Sequence, residues 1–151
     1  MKFSDLSSIK VHIIGINGIG MSALAIYLKK NNVDITGSDI TYNANTINLE
    51  KYQIPVYIGH KISNIKGREI IFYSTAIKNN PEIKEAKKNK IPCYNRSKLL
   101  QIICKDKFTI VISGSHGKTS TTSVLGHLLV LAGLNPTIIS GGIMDNFGQN
   151  I

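Results

Sequence analysis

Two glycine-rich segments of the 151-residue chain have the residue types and the spacing to bind phosphate groups. The first, residues 15–20, reads GINGIG, and the second, residues 114–120, reads GSHGKTS. In each case an apolar run typical of a buried strand precedes the glycines, and a helical pattern follows them. A strand-to-helix turn of this kind presents free backbone N–H groups and the positive end of a helix dipole, which attract an anion. Both segments therefore predict phosphate sites.

The first segment is close to the dinucleotide-binding pattern GxGxxG. Gly15 and Gly20 hold the first and third glycine positions, whereas Asn17 holds the second and Gly18 stands beside it. Asparagine tolerates a left-handed backbone better than most residues do. Asp39 ends the next predicted strand, where an acidic residue can bind ribose hydroxyls. The segment predicts a nucleotide-type diphosphate site, but its spacing does not separate NAD, FAD and a UDP-sugar, and the alternative is a tightly packed turn without a ligand.

The second segment has the chemistry of a phosphate-binding loop for ATP. Its backbone can wrap a phosphate, the Lys118 ammonium can reach the β- and γ-phosphate oxygens, and the Thr119 hydroxyl can ligate Mg²⁺. Only the shorter GxxGK[ST] pattern is met, because Ile112 stands where the longer one has its first glycine. His116 either shapes the loop or faces solvent. The predicted ATP-binding residues are Gly114, Ser115, His116, Gly117, Lys118, Thr119 and Ser120.

The elements that must position these loops alternate along the chain. Strands are predicted at residues 11–14, 34–38, 55–58, 69–73, 91–94, 108–112 and 137–139. Helices are predicted at 19–30, 45–53, 81–89, 119–132 and after an Asn95 cap. This alternation predicts an α/β fold with a parallel sheet, whose ligand loops lie beyond the carboxyl ends of the strands. Asp106 marks the expected boundary between two domains.

Composition and charge exclude several classes of protein. The chain has 18 Lys and Arg against 9 Asp and Glu, a net charge of +9, but only Arg68 and Arg96 are arginines and the lysines are scattered. Scattered lysine without interleaved aromatic residues disfavours a nucleic-acid binder. Polar residues and glycines interrupt the uncharged stretches 11–28 and 119–144, so no membrane insertion is expected. Cys93 and Cys104 lack zinc-ligand spacing, and we expect a reduced, cytoplasmic protein.

Several segments together resemble the Mur ligase family, in particular its members that join L-alanine to UDP-N-acetylmuramate. They are HIIGINGIGMS at 12–22, GSD at 37–39, YSTAI at 73–77, NPE at 80–82 and GSHGKTS at 114–120, with Gly141-Gly142 further on. The chain departs from the family at position 17, where Asn replaces a glycine. This difference leaves open how well the first loop binds UDP.

The resemblance implies a Rossmann-like UDP-sugar-binding domain over residues 1–105. The first βαβ unit of a P-loop ATP-binding domain would follow at residues 106–151. In such a ligase ATP phosphorylates the muramic acid carboxylate and the amine of L-alanine attacks the acyl phosphate, with Lys118 as the catalytic residue and Mg²⁺ on Thr119. The UDP-sugar would contact Gly15, Asn17, Gly18, Ile19, Gly20, Ser38, Asp39, Ser74, Thr75 and Ala76.

Family members are longer, three-domain proteins, so the 151 residues are expected to lack turnover without the rest of the ligase. The helix predicted at 119–132 is then expected to leave an apolar face uncovered and to favour association. Two alternatives remain open at this point. One is a non-catalytic module that binds a UDP-sugar or a dinucleotide, and the other is the related murein-peptide-recycling ligase.

Overall fold

A five-stranded parallel sheet forms the centre of the molecule, which a computed structural model describes for residues 1–140. The Gly141-Gly142 pair therefore lies outside the described residues. The spatial order of the strands is β3-β2-β1-β4-β5 and every pairing is parallel. The strands are β1 (Lys10–Ile14), β2 (Asp34–Asp39), β3 (Val56–Ile58), β4 (Ile70–Tyr73) and β5 (Cys93–Asn95). The Rossmann-like α/β fold predicted from the alternating pattern is confirmed.

Helices connect the strands. They are α1 (Ile19–Lys30), α2 (Ala44–Lys51), α3 (Pro81–Lys88), α4 (Arg96–Cys104) and α5 (Lys118–Leu131), with 3₁₀ helices at Phe3–Ser8 and Ile62–Ile65. Asparagine caps explain where three of them begin, because the side chains of Asn43, Asn80 and Asn95 accept backbone N–H groups of the first helical turn. The five predicted helices are confirmed, with small shifts at their ends, whereas the 3₁₀ helices had no signal that we recognised.

The three central strands, β2, β1 and β4, are buried on both faces, as the strands of parallel sheets usually are. Neighbouring residues of β1 belong to opposite faces: Ile13 packs in the larger core with Leu24 of α1 and Leu99 of α4. Ile14 packs in the smaller core with Ile71 and Ala86 of α3. All six side chains are 1% exposed or less. The two cores hold the strand ends, and therefore the loops that follow them, in fixed positions.

Two predicted strands are wrong: residues 108–112 and 137–139 have no strand structure. Phe108 is 95% exposed and Val111 80% exposed, so the apolar run covers no core. A strand needs a neighbour to satisfy its backbone groups, and the described residues provide none there. The apolar face expected on the last helix is present, since Val124, Leu128 and Leu131 of α5 are all more than half exposed.

Candidate functional site

A crevice lies between the carboxyl ends of β1 and β4, because the connections that follow these two strands run to opposite sides of the sheet. From β1 the chain passes to β2 on one side, and from β4 it passes to β5 on the other. Ile14 and Tyr73 are partners at the carboxyl ends of these two central strands. Such switch points are where open α/β sheets bind ligands. The first glycine loop and the Ser74 loop both begin here.

Gly15 brings these two loops together. Its φ of 77° lies in the left-handed region, and a Cβ atom on it would lie 3.1 Å from the Cβ of Ser74. Its N–H donates to the carbonyl oxygen of Ser38 at 2.8 Å, which fixes the loop on the end of β2. Glycine is therefore required at position 15 both by conformation and by close approach.

Gly18 is different, because neither its backbone conformation nor any neighbour within residues 1–140 requires a glycine. It is the N-cap of α1 with an ordinary φ of −63°, and a Cβ atom would meet only the Gly15 carbonyl oxygen, at 3.4 Å. The loop is exposed at Gly18 and Ile19. In the described part of the chain the N–H groups of Ile19 and Gly20 have no backbone acceptor. The start of α1 thus offers open space and free donors to an anion.

Asn17 ties the glycine loop to the segment that follows β2. Its N–H donates to Oδ2 of Asp39 at 2.8 Å and its Nδ2 donates to the Thr41 carbonyl at 2.6 Å. Nδ2 of Asn45 donates in turn to the Asn17 carbonyl at 2.7 Å. Asn17 does not have a positive φ, so the left-handed backbone considered from sequence is not the reason for asparagine here. The side chain serves as a link that glycine could not make.

Asp39 stands at the end of β2, half-buried, as expected from sequence. Its Oδ2 accepts the Asn17 N–H and its Oδ1 accepts its neighbour's N–H, from Ile40, at 2.7 Å. Each carboxylate oxygen keeps further lone pairs. Asp39 can therefore accept hydroxyl groups while the two N–H groups hold it in place.

The loop after β4 makes a tight turn at Ser74. The Ser74 N–H donates to the Ile14 carbonyl at 3.1 Å, the Ile77 N–H donates to the Ser74 carbonyl at 3.0 Å, and the Ala76 N–H contacts the Ser74 hydroxyl oxygen at 3.4 Å. Thr75 and Ala76 are exposed. The turn holds these residues at the crevice and ends the strand at the same time.

A network of buried polar side chains lies beside the crevice and includes Ser38 of β2. The carboxylate of Glu82 is fully buried and accepts the Ser38 hydroxyl at 2.6 Å and Nδ2 of Asn64 at 2.6 Å. Nδ1 of His60 lies 3.3 Å and Nε2 of His12 lies 3.7 Å from the same carboxylate. The Ser38 hydroxyl is therefore used inside the protein, while its carbonyl oxygen holds the glycine loop.

The network keeps the carboxylate of Glu82 ionised. Burial by itself raises the pKa of this group, but the contacts with His12, Ser38 and Asn64 outweigh burial and leave the pKa lowered. Sequence reasoning treated Glu82 only as an acid in the first turn of α3. The NPE segment was the available signal, but nothing in it shows that the acid would be buried among residues of β1 and β2.

The second glycine loop lies at the start of α5, and all seven of its predicted residues are exposed. Gly117 is the N-cap of α5 and has a left-handed φ of 76°. The Lys118 ammonium donates to the carbonyl oxygens of Gly114 and Ser115. His116 faces solvent, which decides between the two roles considered for it. None of these hydrogen bonds reaches the first loop, so the described residues form two separate candidate sites.

The donor set of the second loop fits a phosphate with a magnesium ion. It combines a left-handed glycine, a lysine ammonium and the Thr119 hydroxyl, which has no protein partner among residues 1–140. In the same residues no group of three or more His, Cys, Asp or Glu side chains could hold a metal by itself. No helix there combines the length and the apolar character that crossing a bilayer requires.

A doubly wound parallel sheet with a glycine loop at its switch point defines the class of Rossmann-like nucleotide-binding domains. The model of the "Mur ligase family, catalytic domain" matches residues 10–108, and the chain belongs to this family.

Curated relatives include the UDP-N-acetylmuramate–L-alanine ligases of Rickettsia typhi and Aquifex aeolicus. Each is 45% identical over 93% of this chain, which covers 28% and 31% of their respective lengths. The chain therefore spans less than a third of these relatives.

Two solved structures have nearly the same fold. The UDP-N-acetylmuramate–alanine ligase of Thermotoga maritima matches with a TM-score of 0.87 and 34% identity, over 94% of this chain and 34% of that one. The Neisseria meningitides ligase for UDP-N-acetylmuramate and L-alanyl-γ-D-glutamyl-meso-diaminopimelate matches with a TM-score of 0.86 and 27% identity, over 94% and 45%.

Proposed function

We propose that this chain provides the UDP-sugar-binding domain, residues 1–105, and the beginning of the ATP-binding domain, residues 106–151, of a ligase. The ligase joins L-alanine to UDP-N-acetylmuramate in peptidoglycan precursor synthesis. The observation that carries the proposal is the convergence of the loops after β1 and β4, in contact at Gly15 and Ser74, on free N–H groups at the start of α1. The names of relatives that are 45% identical supply the substrate.

Different residues of the crevice would bind different parts of the UDP-sugar. The N–H groups of Ile19 and Gly20 and the open space at Gly18 suit the diphosphate. Asp39, held by two backbone N–H groups, accepts ribose hydroxyls. The exposed turn at Ser74, Thr75 and Ala76 lies on the other wall of the crevice, where we place the amino sugar.

The second loop would bind ATP and Mg²⁺. When bound, ATP supplies the phosphoryl group that activates the muramic acid carboxylate, and Mg²⁺ neutralises its charge. Lys118 must exchange its two loop carbonyls for phosphate oxygens, and Thr119 offers its hydroxyl to the metal. Thr121 donates its N–H to the Gly117 carbonyl, so only the first helical N–H groups are left for the phosphates. The free thiols of Cys93 and Cys104 agree with a cytoplasmic location.

The related ligase for a murein peptide is the second candidate. The sheet and helices do not separate the two, since the Neisseria and Thermotoga structures match equally well in shape. Sequence identity favours the first candidate, at 34% for the alanine ligase against 27% for the peptide ligase. Both candidates predict a site for UDP-N-acetylmuramate in this chain.

Titration calorimetry of the 151-residue chain tests the proposal with UDP-N-acetylmuramate, UDP and NAD as ligands. We expect the two uridine ligands to bind and NAD to give no heat of binding. Binding of NAD in preference to UDP would assign the crevice to a dinucleotide-binding module. Absence of binding by all three ligands would contradict the proposed function.

A further inference from the structure

Arg96 reaches the start of α1 from the opposite side of the crevice. It is the first residue of α4 and directly follows β5, the neighbour of β4. A Cβ atom on Gly20 would lie 2.5 Å from Cζ of Arg96 and 2.6 Å from each of its terminal nitrogens. Gly20 belongs to the first turn of α1. The guanidinium therefore fills the space that the third glycine of the loop leaves free.

Among residues 1–140 the charge of Arg96 has no partner. Within residues 1–140 it forms no ion pair, and its half-buried side chain has a fully buried Nε without a hydrogen-bond acceptor. The chain's other arginine behaves differently, because Arg68 donates to Oδ1 of Asp34 at 2.9 Å. A partly buried guanidinium without an anion is unfavourable.

The groups that surround Arg96 also favour a bound anion. The first turn of α1 carries the positive end of the helix dipole and the free N–H groups of Ile19 and Gly20. Two positive features thus face each other across Gly20, and no carboxylate within the described residues pairs with Arg96. An anionic ligand bound there would satisfy both at once.

We propose that Arg96 binds the diphosphate of the UDP-sugar, as a further specificity-determining residue of the first glycine loop. This inference rests on the function proposed above. A guanidinium presents a planar fork of donors that matches two phosphate oxygens, which a lysine does not. Gly20 is then a glycine because a side chain there would displace the arginine.

Substitution of Arg96 tests the assignment through a comparison of UDP with uridine. In Arg96→Ala we expect UDP affinity to fall by about 10- to 150-fold, the range for a lost hydrogen bond to a charged group. Uridine carries no phosphate, and its affinity, followed by NMR titration, should be unchanged. Arg96→Lys keeps the charge but not the planar fork of donors. Its UDP affinity should therefore lie between that of the unchanged chain and that of Arg96→Ala. Arg68→Ala is the matched control and should bind UDP as the unchanged chain does.

Gly20→Ala provides a second test that keeps the arginine. The three atoms nearest to its methyl group all belong to the far end of the flexible Arg96 side chain. The fold should therefore persist, as circular dichroism can verify, while the guanidinium is pushed aside. We expect UDP affinity to fall as it does in Arg96→Ala. The double variant should be no weaker than either single one, because both remove the same contact.

The outcomes separate this inference from the proposed function. If the unchanged chain does not bind UDP, the proposed function itself fails. If that chain binds UDP but Arg96→Ala binds it equally well, or loses uridine and UDP affinity to the same extent, only the role of Arg96 is overturned. Additive losses in the double variant would also overturn it.

Discussion

Gly15 and Gly18 are glycines for different physical reasons. Gly15 is required by its left-handed φ and its approach to Ser74, whereas Gly18 has an ordinary φ and open space around it. A side chain at position 18 would thus disturb a ligand rather than the protein. A substitution at Gly18 therefore tests ligand binding, whereas one at Gly15 would also disturb the fold.

Gly18→Val should abolish binding of UDP-N-acetylmuramate, because the branched side chain would occupy the space above the start of α1. The protein should still fold, with a melting temperature lowered only by the poorer N-cap, since the added Cβ atom meets no protein group closer than the Gly15 carbonyl oxygen, at 3.4 Å. Calorimetry and a thermal melt measure the two effects. Retention of the original affinity would show that the ligand does not pass over Gly18.

Sequence alone could predict the glycines and Asp39, because their signal is local spacing. It could not predict the contacts of Asn17 with Thr41 and Asn45, or that of Arg96 with Gly20. These pairs lie far apart in the chain and meet only because of the strand order. The link made by Asn17 is a consequence of folding that no local pattern contains.

At the scale of elements, β2 is where the larger core and the candidate site both depend on one small residue, Gly37. A Cβ atom on Gly37 would lie 2.3 Å from Cδ1 of Ile16 and 2.8 Å from the Ile13 carbonyl oxygen. Ile16 is part of the glycine loop and is fully buried. The loop therefore packs down onto β2 only because position 37 has no side chain.

Gly37→Ala should destabilise the protein by about 1–3 kcal/mol, the usual cost of overpacking a core. One of its close neighbours is backbone, which cannot move aside. Denaturant unfolding gives the free energy of unfolding. Gly18→Ala is the matched control, since its methyl group has room, and a similar loss in both variants would contradict the role given to Ile16.

Glu82 joins α3 to β2 and to the 3₁₀ helix at Ile62–Ile65, and its ionisation should make stability depend on pH. Because its pKa is lowered in the folded protein from an ordinary value of 4.5, its stabilisation is complete above about that pH. The stabilisation is lost as the pH falls through the lower, folded-state pKa. Glu82→Gln should cost about 2 kcal/mol at neutral pH.

Unfolding measured from pH 7 to pH 3 tests this expectation. The difference in unfolding free energy between the unchanged chain and Glu82→Gln should shrink on acidification, while His12 and His60 are present in both. Tyr42→Phe, which removes the exposed hydroxyl that contacts Glu50, is a control with a surface contact only. A difference that stays constant across this range would contradict an ionised Glu82.

The strands that hold the crevice could be predicted because each combines an apolar run with a glycine or asparagine boundary. The same reasoning fails for residues 108–112, where the run is equally apolar but no neighbouring strand is present among residues 1–140. Strand formation depends on a partner, which is a property of the assembled sheet. Residue patterns alone therefore overestimate strands at the end of the chain.

At the scale of the whole molecule, two phosphate loops occupy one chain that spans less than a third of its relatives. The first loop stands on a complete sheet and the second on a helix with an exposed apolar face. The net charge of +9 is not concentrated in either loop, since Lys118 is the one lysine in them. We therefore expect this chain to bind a UDP-sugar without catalysing the ligation.

We expect the 151 residues to bind a UDP-sugar but not to release phosphate from ATP in the presence of UDP-N-acetylmuramate and L-alanine. The second loop has Lys118 and Thr119, but the chain spans less than a third of the length of the ligases that it resembles. A coupled phosphate-release assay measures turnover directly. Robust, alanine-dependent release by this chain would contradict the proposed division into a UDP-sugar-binding domain and the beginning of an ATP-binding domain.

The strand order also sets when the site comes into existence during folding. β1, β2 and β3 follow each other along the chain and can pair first, which brings Gly15 to Ser38. Ser74 arrives only with β4, which joins β1 across a long stretch of sequence, and Arg96 only with β5, which pairs with β4. A UDP-sugar can therefore recognise only the finished sheet. Such a ligand would slow unfolding while leaving the rate of refolding unchanged, because it would bind the native state and not the transition state for folding.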